Sequence, residues 1–336
     1  MIMDRVKYGV IGLGFFGETH TDVLSTMPDV ELTAVCTRRP HRLKEVAERY
    51  GVPKSYTDYE DLLADPGVEA VSVVTHVNDH RDIAIDALKA GKHVFLEKPM
   101  AGTVKDCDAI VKAAQSAKGY FMVGHICRFD PRVALAKAAI DEGRIGKIVS
   151  MHATRNLSKS LTAQPRVLDS ISPLMGDGIH DTDIMLWMTG GKVKTVYGQD
   201  VRVRDFKYPD IGWAMYRFDD GAVGVIEVVW FLPENTPFLI DARMEIIGTD
   251  GAIYIDAGNA GVTINDKQGL HKPDTVYWPS YHGKRTGALR TELSYFVDCI
   301  KKGKKPDVIT PEESRMAVAV MCAAEESAEK GKVVKM

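Results

Sequence analysis

Apolar residues follow two rhythms along this chain, and the change from one to the other divides it. From Val6 to Val123, short runs are apolar at nearly every position: Tyr8 to Ile11, Leu32 to Cys36, Ala70 to Val74, His93 to Leu96 and Tyr120 to Val123. Helix-length stretches lie between them, Phe15 to Met27, His41 to Tyr50, Asp79 to Ala90 and Val104 to Ala117. Strands apolar on both faces and spaced by helices predict a parallel, doubly wound α/β sheet. After about Gly124 a helix over Pro131 to Asp141 gives way to longer strands: Ile148 to Thr154, Thr195 to Val203, Trp213 to Phe218, Val223 to Trp230, Arg243 to Ile247 and Ala252 to Ile255. Asp219-Asp220-Gly221 and Thr249-Asp250-Gly251 are hairpin signals, so this half is expected to be an α+β domain with a large, mainly antiparallel open sheet. Helices are predicted over Gly178 to Met188, over Leu289 to Ile300, and from Pro311 to about Glu329. The expected domains are 1–124, for a nucleotide, and 125–336, for substrate and for self-association.

Composition narrows the partners. The 336 residues are 45% hydrophobic and 26% charged, with a formal charge of −3, which gives no broad electrostatic reason to bind nucleic acid and points to a small solute. No run approaches the roughly 20 apolar residues of a membrane helix. The opening Met1-Ile-Met-Asp-Arg-Val-Lys7 lacks the apolar stretch of a signal peptide, so a cytoplasmic location is expected. Cys36, Cys107, Cys127, Cys299 and Cys322 are scattered and odd in number, which suggests reduced, mostly buried thiols. His76 and His80 are four apart, but no third ligand pattern lies nearby and no metal is expected.

The chemistry begins at Gly12-Leu13-Gly14-Phe15-Phe16-Gly17, between the first strand and the first helix. Glycine at 12 permits the tight turn, at 14 admits a pyrophosphate to the backbone, and at 17 lets helix and strand pack closely. The helix start then faces an anion, as in the Rossmann dinucleotide fold. The second strand ends Cys36-Thr37-Arg38-Arg39, without the carboxylate that NAD enzymes present to the adenosine 2′-hydroxyl. A hydroxyl followed by two guanidinium groups suits a 2′-phosphate, so NADP is the favoured cofactor and NAD the alternative. Lys98 ends the fifth strand, where ligands of open parallel sheets bind, and is suited there to relay a proton from a substrate hydroxyl.

Glu97-Lys98-Pro99, the glycine turn and Gly178-Ile-His-Asp-Thr-Asp183 together resemble the Gfo/Idh/MocA family of sugar and cyclitol oxidoreductases, over essentially the whole chain. The resemblance implies hydride transfer between nicotinamide and a secondary hydroxyl, with Lys98 and His180 handling the proton and Asp183 orienting the histidine. It also implies that Thr75, His76, Asn78 and His80, with Glu97, line the cofactor, that Arg128 reaches nicotinamide or substrate, and that the chain forms a homodimer or homotetramer. Val123 to Pro131 is similar to members that oxidise the 3-hydroxyl of UDP-N-acetylglucosamine, in which case Arg166 and Lys159 would meet a substrate phosphate. One departure stands out: many members carry Asp four residues before the histidine, whereas here that position is Gly176 and the carboxylate falls on Asp177. Two rival activities fit the same residues, a redox-assisted glycoside hydrolase or lyase that recycles its cofactor and a non-catalytic dinucleotide or sugar sensor. A sensor needs neither Lys98 nor His180.

Overall fold

A computed structural model describes residues 5–159, 169–256 and 261–336. The chain forms two compact units, Met1–Phe129 with Tyr277–Arg315, and Asp130–Val276 with Met316–Met336.

In the first unit the strands are β1 (Val6–Ile11), β2 (Val30–Cys36), β3 (Lys54–Tyr56), β4 (Ala70–Val73), β5 (His93–Glu97) and β6 (Phe121–Gly124). They make a six-stranded sheet in the order β3-β2-β1-β4-β5-β6, every pair parallel. This is the doubly wound order that puts ligands at the carboxyl ends of the strands, where the order reverses about β1 and β4. Val10, Val35, Val71, Phe95, Leu96 and Met122 are fully buried, as strands covered on both faces require. Around the sheet run α1 (Phe15–Ser25), α2 (Pro40–Tyr50), α3 (Tyr59–Ala64), α4 (Val77–Lys89) and α5 (Val104–Ser116). Ile83, Ala84, Ala87 and Leu88 give α4 its buried stripe, and Thr103 caps α5 by accepting the Asp106 N–H at 3.1 Å. β3 and α3 escape sequence patterning because they span three and six residues, shorter than a hydrophobic period needs.

The returning segment builds α8 (Gly287–Lys302) and the start of α9 (Pro311–Lys330) into this unit. Arg285 pairs with Asp22 at 2.8 Å, Arg290 bonds Thr26 at 2.8 Å, and Trp278 stands edge-on to Phe16 with centroids 5.2 Å apart. Thr310 and Glu313 close a reciprocal capping box at the head of α9, with bonds of 2.8 and 3.2 Å.

In the second unit, α6 (Pro131–Asp141) leads into a seven-stranded sheet, order β12-β11-β7-β10-β9-β8-β17. Its strands are β7 (Ile148–Ser158), β8 (Val193–Val201), β9 (Ile211–Phe218), β10 (Val223–Leu232), β11 (Asp241–Gly248), β12 (Ala252–Asp256) and β17 (Val334–Lys335). Only β7 and β10 pair in parallel, so the expected mainly antiparallel sheet is found. Alternate residues of β9 and β10, among them Ala214, Tyr216, Ile226 and Val228, are buried beside the apolar side of α7 (Ile179–Thr189). The opposite face leaves Tyr197, Trp213 and Met215 exposed at 39%, 39% and 50%, with Tyr197 and Met215 in register across β8 and β9. β7 runs to Ser158 rather than ending at the expected Thr154, which carries Arg155 into the core. Small hairpins form from β13 (Ile264–Asp266) with β14 (Gly269–His271) and from β15 (Ser280–Tyr281) with β16 (Lys284–Arg285). Cys36, Cys107, Cys127 and Cys299 are buried. No helix among the described residues is long and apolar enough to cross a membrane.

Candidate functional site

The glycine turn is built as its spacing predicts. Gly12 has a φ of +95°, and a Cβ there would sit 2.2 Å from the Val74 carbonyl oxygen. A Cβ on Gly17 would fall 1.9 Å from the Gly12 oxygen, so close packing of α1 on β1 requires glycine. A Cβ on Gly14, by contrast, meets nothing within 4 Å, and no side chain caps the start of α1. The first amides of α1 therefore open onto a cleared approach suited to an anion, which fits a dinucleotide pyrophosphate. The Leu13 side chain is buried, while its carbonyl accepts from Arg39 at 2.9 Å and Arg42 at 3.1 Å. Phe15 is 73% exposed beside the turn, and Phe16 is turned toward His20 and Trp278.

Beyond β2, the Thr37 N–H is tied to the Tyr56 carbonyl at 3.1 Å. Arg38 reaches Asp79 at 2.9 Å with 80% of its side chain exposed, an ion pair worth only about 0–1 kcal/mol. Arg39 is exposed and donates one Nη2–H to the Leu13 carbonyl of the turn. After β4, Thr75 is half-buried, and His76 and Asn78 are exposed at the head of α4. His80 is buried, with Nδ1 2.9 Å from the Pro99 oxygen and Nε2 3.2 Å from the Thr75 oxygen. Burial holds its pKa below the ordinary imidazole value, against the pull of those two carbonyls.

Lys98 follows β5 half-buried, and the Lys98-Pro99 bond is cis. Its main-chain N–H donates to Glu97 Oε2 at 3.2 Å. Glu97 itself is buried and held at Oε1 by His20, 3.1 Å away, so its carboxylate faces the core of the unit. Arg128 is buried too, with Nη1 2.6 Å from the Val308 oxygen and 3.2 Å from Glu313.

In the second unit, His180 stands buried in the first turn of α7, with Asp183 buried one turn on. A π-helical turn, Leu174–Gly178, precedes it. Gly176 lies there against Trp230, and a Cβ would be 2.7 Å from the indole ring. The Trp230 Nε1–H donates to Asp177 Oδ2 at 2.7 Å. Asp181, next to His180, takes a bidentate pair of 2.9 Å bonds from Arg155 on β7, both side chains being buried. That pair ties the first turn of α7 to the sheet. Lys159 lies 4.0 Å from Glu234, and Arg166 falls outside the described residues. Among the described residues no cluster of His, Cys, Asp and Glu is disposed to hold a metal.

His20, Arg155 and Trp230 were not legible as functional positions. His20 carried one signal, an imidazole in the apolar stripe of α1; Arg155 and Trp230 read as ordinary strand residues.

A glycine turn opening a doubly wound sheet, with a lysine directly after its fifth strand, defines a dinucleotide-dependent oxidoreductase. The pattern of the oxidoreductase family with an NAD-binding Rossmann fold matches residues 6–125, and that of the GFO/IDH/MocA C-terminal domain matches residues 133–254. The chain is 30% identical to myo-inositol 2-dehydrogenase of Thermotoga maritima, covering 98% of both chains. It is likewise 30% identical to scyllo-inositol 2-dehydrogenase (NAD(+)) of Bacillus subtilis, covering 99% of this chain and 96% of that protein. The crystal structure of a myo-inositol 2-dehydrogenase from Lactobacillus plantarum superposes with a TM-score of 0.86 at 25% identity, over 99% of this chain and 100% of the other. The chain belongs to the Gfo/Idh/MocA family, as a nicotinamide-dependent dehydrogenase.

Proposed function

We propose that this enzyme oxidises a secondary hydroxyl of a cyclitol or a free sugar, or reduces the matching ketone, with inositols the first substrates to test. The observation that carries this reading is Lys98 itself, a half-buried amine at the carboxyl end of β5 in the unit that carries the glycine turn. Full-length relatives named as inositol 2-dehydrogenases support the substrate class in place of a nucleotide sugar. Bound nicotinamide would supply the hydride acceptor, held through Gly12, Gly14, Gly17 and the α1 amides. Lys98 holds and moves the hydroxyl proton, and His180 is the second proton carrier, steadied through the neighbouring Asp181–Arg155 pair. Asp177 and Asp183 are the carboxylates proposed to orient polyol hydroxyls and the imidazole.

The cofactor proposed is NADP(H) ahead of NAD(H). No carboxylate follows β2, and Arg38 is held only by an exposed ion pair that a 2′-phosphate can displace. The relative named for NAD(+) weighs the other way, so the ratio of kcat/KM for the two cofactors is the deciding number. Arg38→Ala should lower it about tenfold, a loss of about 1.4 kcal/mol; an unchanged ratio rejects the preference. The exposed apolar stripe of Tyr197, Trp213 and Met215 supports self-association through the open sheet face, which light scattering of wild type and Trp213→Glu tests.

The assay is a screen of inositols, free sugars and nucleotide sugars, read at the nicotinamide absorbance band with both cofactors. Steady turnover with an inositol or sugar supports the proposal, and Lys98→Met should then lose at least about a hundredfold in kcat while still binding cofactor. Sugar cleavage without net cofactor turnover would favour the recycling hydrolase or lyase instead.

A further inference from the structure

α1 carries a polar side chain on its buried face. His20 is fully buried, yet it shares the stripe of Val23 and Leu24. An imidazole is stable there only with partners for its ring nitrogens. Nε2 lies 3.1 Å from Glu97 Oε1, and Nδ1 lies 3.3 Å from Ser72 Oγ, which in turn is 3.2 Å from Tyr8 Oη. Phe16 and Phe95 stand edge-on to the ring with centroids at 5.1 and 5.5 Å, which fixes its plane.

Hydrogen counting gives this row a direction. Ser72 donates its hydroxyl to Tyr8 Oη, so Nδ1 of His20 faces an oxygen whose hydrogen is already committed, and with Glu97 ionised the hydrogen between Nε2 and Oε1 comes from His20.

The row ends on the lysine. Glu97 Oε2 accepts the Lys98 main-chain N–H at 3.2 Å. On its other side the carboxylate is walled by Gly124, its register partner on β6, where a Cβ would sit 2.8 Å from Oε1. One residue beyond Lys98, the Pro99 carbonyl lies 2.9 Å from His80 Nδ1, within reach of an N–H there. The main chain bearing the lysine is thus gripped from both directions.

The geometry points to His20 as a positioning residue for the reaction: through Glu97 it fixes the main chain from which the Lys98 amine reaches the substrate. This rests on the reading of Lys98 as the proton carrier and deepens it. Misplacing a reacting group by about 1 Å can cost on the order of a hundredfold in rate. The glycine turn makes no use of the Glu97 bond, so the defect belongs in kcat rather than in cofactor affinity.

The test compares full-length wild type with His20→Leu, which keeps bulk and loses the N–H, and His20→Gln, which keeps an N–H within reach of Glu97. His20→Leu should lower kcat roughly tenfold while KM and the cofactor Kd stay within about threefold, and His20→Gln should recover at least about a third of the loss on a logarithmic scale. Gly124→Ala keeps the His20 N–H but presses on Glu97 Oε1 and on the edge of the Phe95 ring, 2.8 and 2.9 Å from the new Cβ, and should give the same kcat-selective loss; it decides the matter if His20→Leu does not fold. Wild-type kcat in His20→Leu, equal loss in the Gln and Leu variants, or loss shared equally by kcat, KM and cofactor Kd overturns the assignment. A readout independent of turnover is the Lys98 resonance in isotopically methylated protein. Displacement of its chemical shift in His20→Leu and Gly124→Ala supports the grip, and an unmoved resonance overturns it. If wild type turns over no polyol, the reading of Lys98 as proton carrier fails, and this resonance still judges whether His20 holds the lysine.

Discussion

The glycine turn of the first unit and the π-helical turn of the second are both too crowded for a side chain, but different things crowd them. At Gly12 and Gly17 the obstacles are backbone oxygens, 2.2 and 1.9 Å from where a Cβ would stand. At Gly176 the obstacle is the Trp230 ring, 2.7 Å away. A backbone atom is present whatever the neighbouring side chains are, so the first two glycines follow from the turn itself. Gly176 is required only while Trp230 remains, which makes the two residues a matched pair. The same indole N–H fastens Asp177, so the carboxylate that the resemblance placed at 176 is displaced by one residue and held there from the sheet.

Gly17→Ala should have the largest effect. The new methyl can be admitted only by moving α1 off β1, so stability should fall by about 3 kcal/mol in urea unfolding, near the upper end for overpacking. The cofactor Kd should rise by at least about tenfold in a fluorescence titration. Trimming a neighbour should not help: Val74→Ala in the same chain recovers nothing, because the clash is with an oxygen of the main chain.

Gly176→Ala should cost less, about 1–3 kcal/mol, and should be relieved by Trp230→Leu. A coupling of at least about 1 kcal/mol in the double-mutant cycle is expected, and additivity within about 0.5 kcal/mol would break the contrast between the turns. Trp230→Phe alone removes the donor to Asp177 and should cost about 1 kcal/mol.

The smallest effect concerns His80, behind the lysine turn. Its folded pKa lies below the ordinary imidazole value of 6.5, so just below that pH the unfolded chain binds a proton that the folded chain refuses. Its contribution to stability is therefore complete above 6.5 and is lost as pH falls from there toward the folded value. His93, also lowered by burial, acts with the same sign, so His80→Leu should flatten the acid limb of a melting-temperature profile in part. An unaltered slope would show that His80 does not titrate in this window.

Much of the fold was legible because its signals are local. Runs apolar on both faces marked β1, β2, β4, β5 and β6, and Pro131 and Pro311 marked the starts of α6 and α9. β3 and α3 were too short to show a period, and the last residues of β7 mix charge with apolar positions. Arg155 reads as a reason to end a strand until Asp181 supplies its counter-charge. The segment Tyr277–Arg315 carries no local mark of belonging with the first unit; Arg285 with Asp22 and Trp278 with Phe16 join positions more than two hundred and fifty residues apart.

The amino-acid sequence by itself determined that a dinucleotide turn lies between β1 and α1, that Lys98 directly follows a buried parallel strand, and that an open sheet follows. Each of these depends on a few neighbouring residues, through backbone sterics and hydrophobic period. Only the tertiary structure decided that Arg39 serves Leu13, that Glu97 turns inward to His20, and that Trp230 excludes a side chain at 176 while holding Asp177. Those assignments turn on which polar group finds its partner across the fold, and burial enforces the pairing only once distant strands and helices have been brought together.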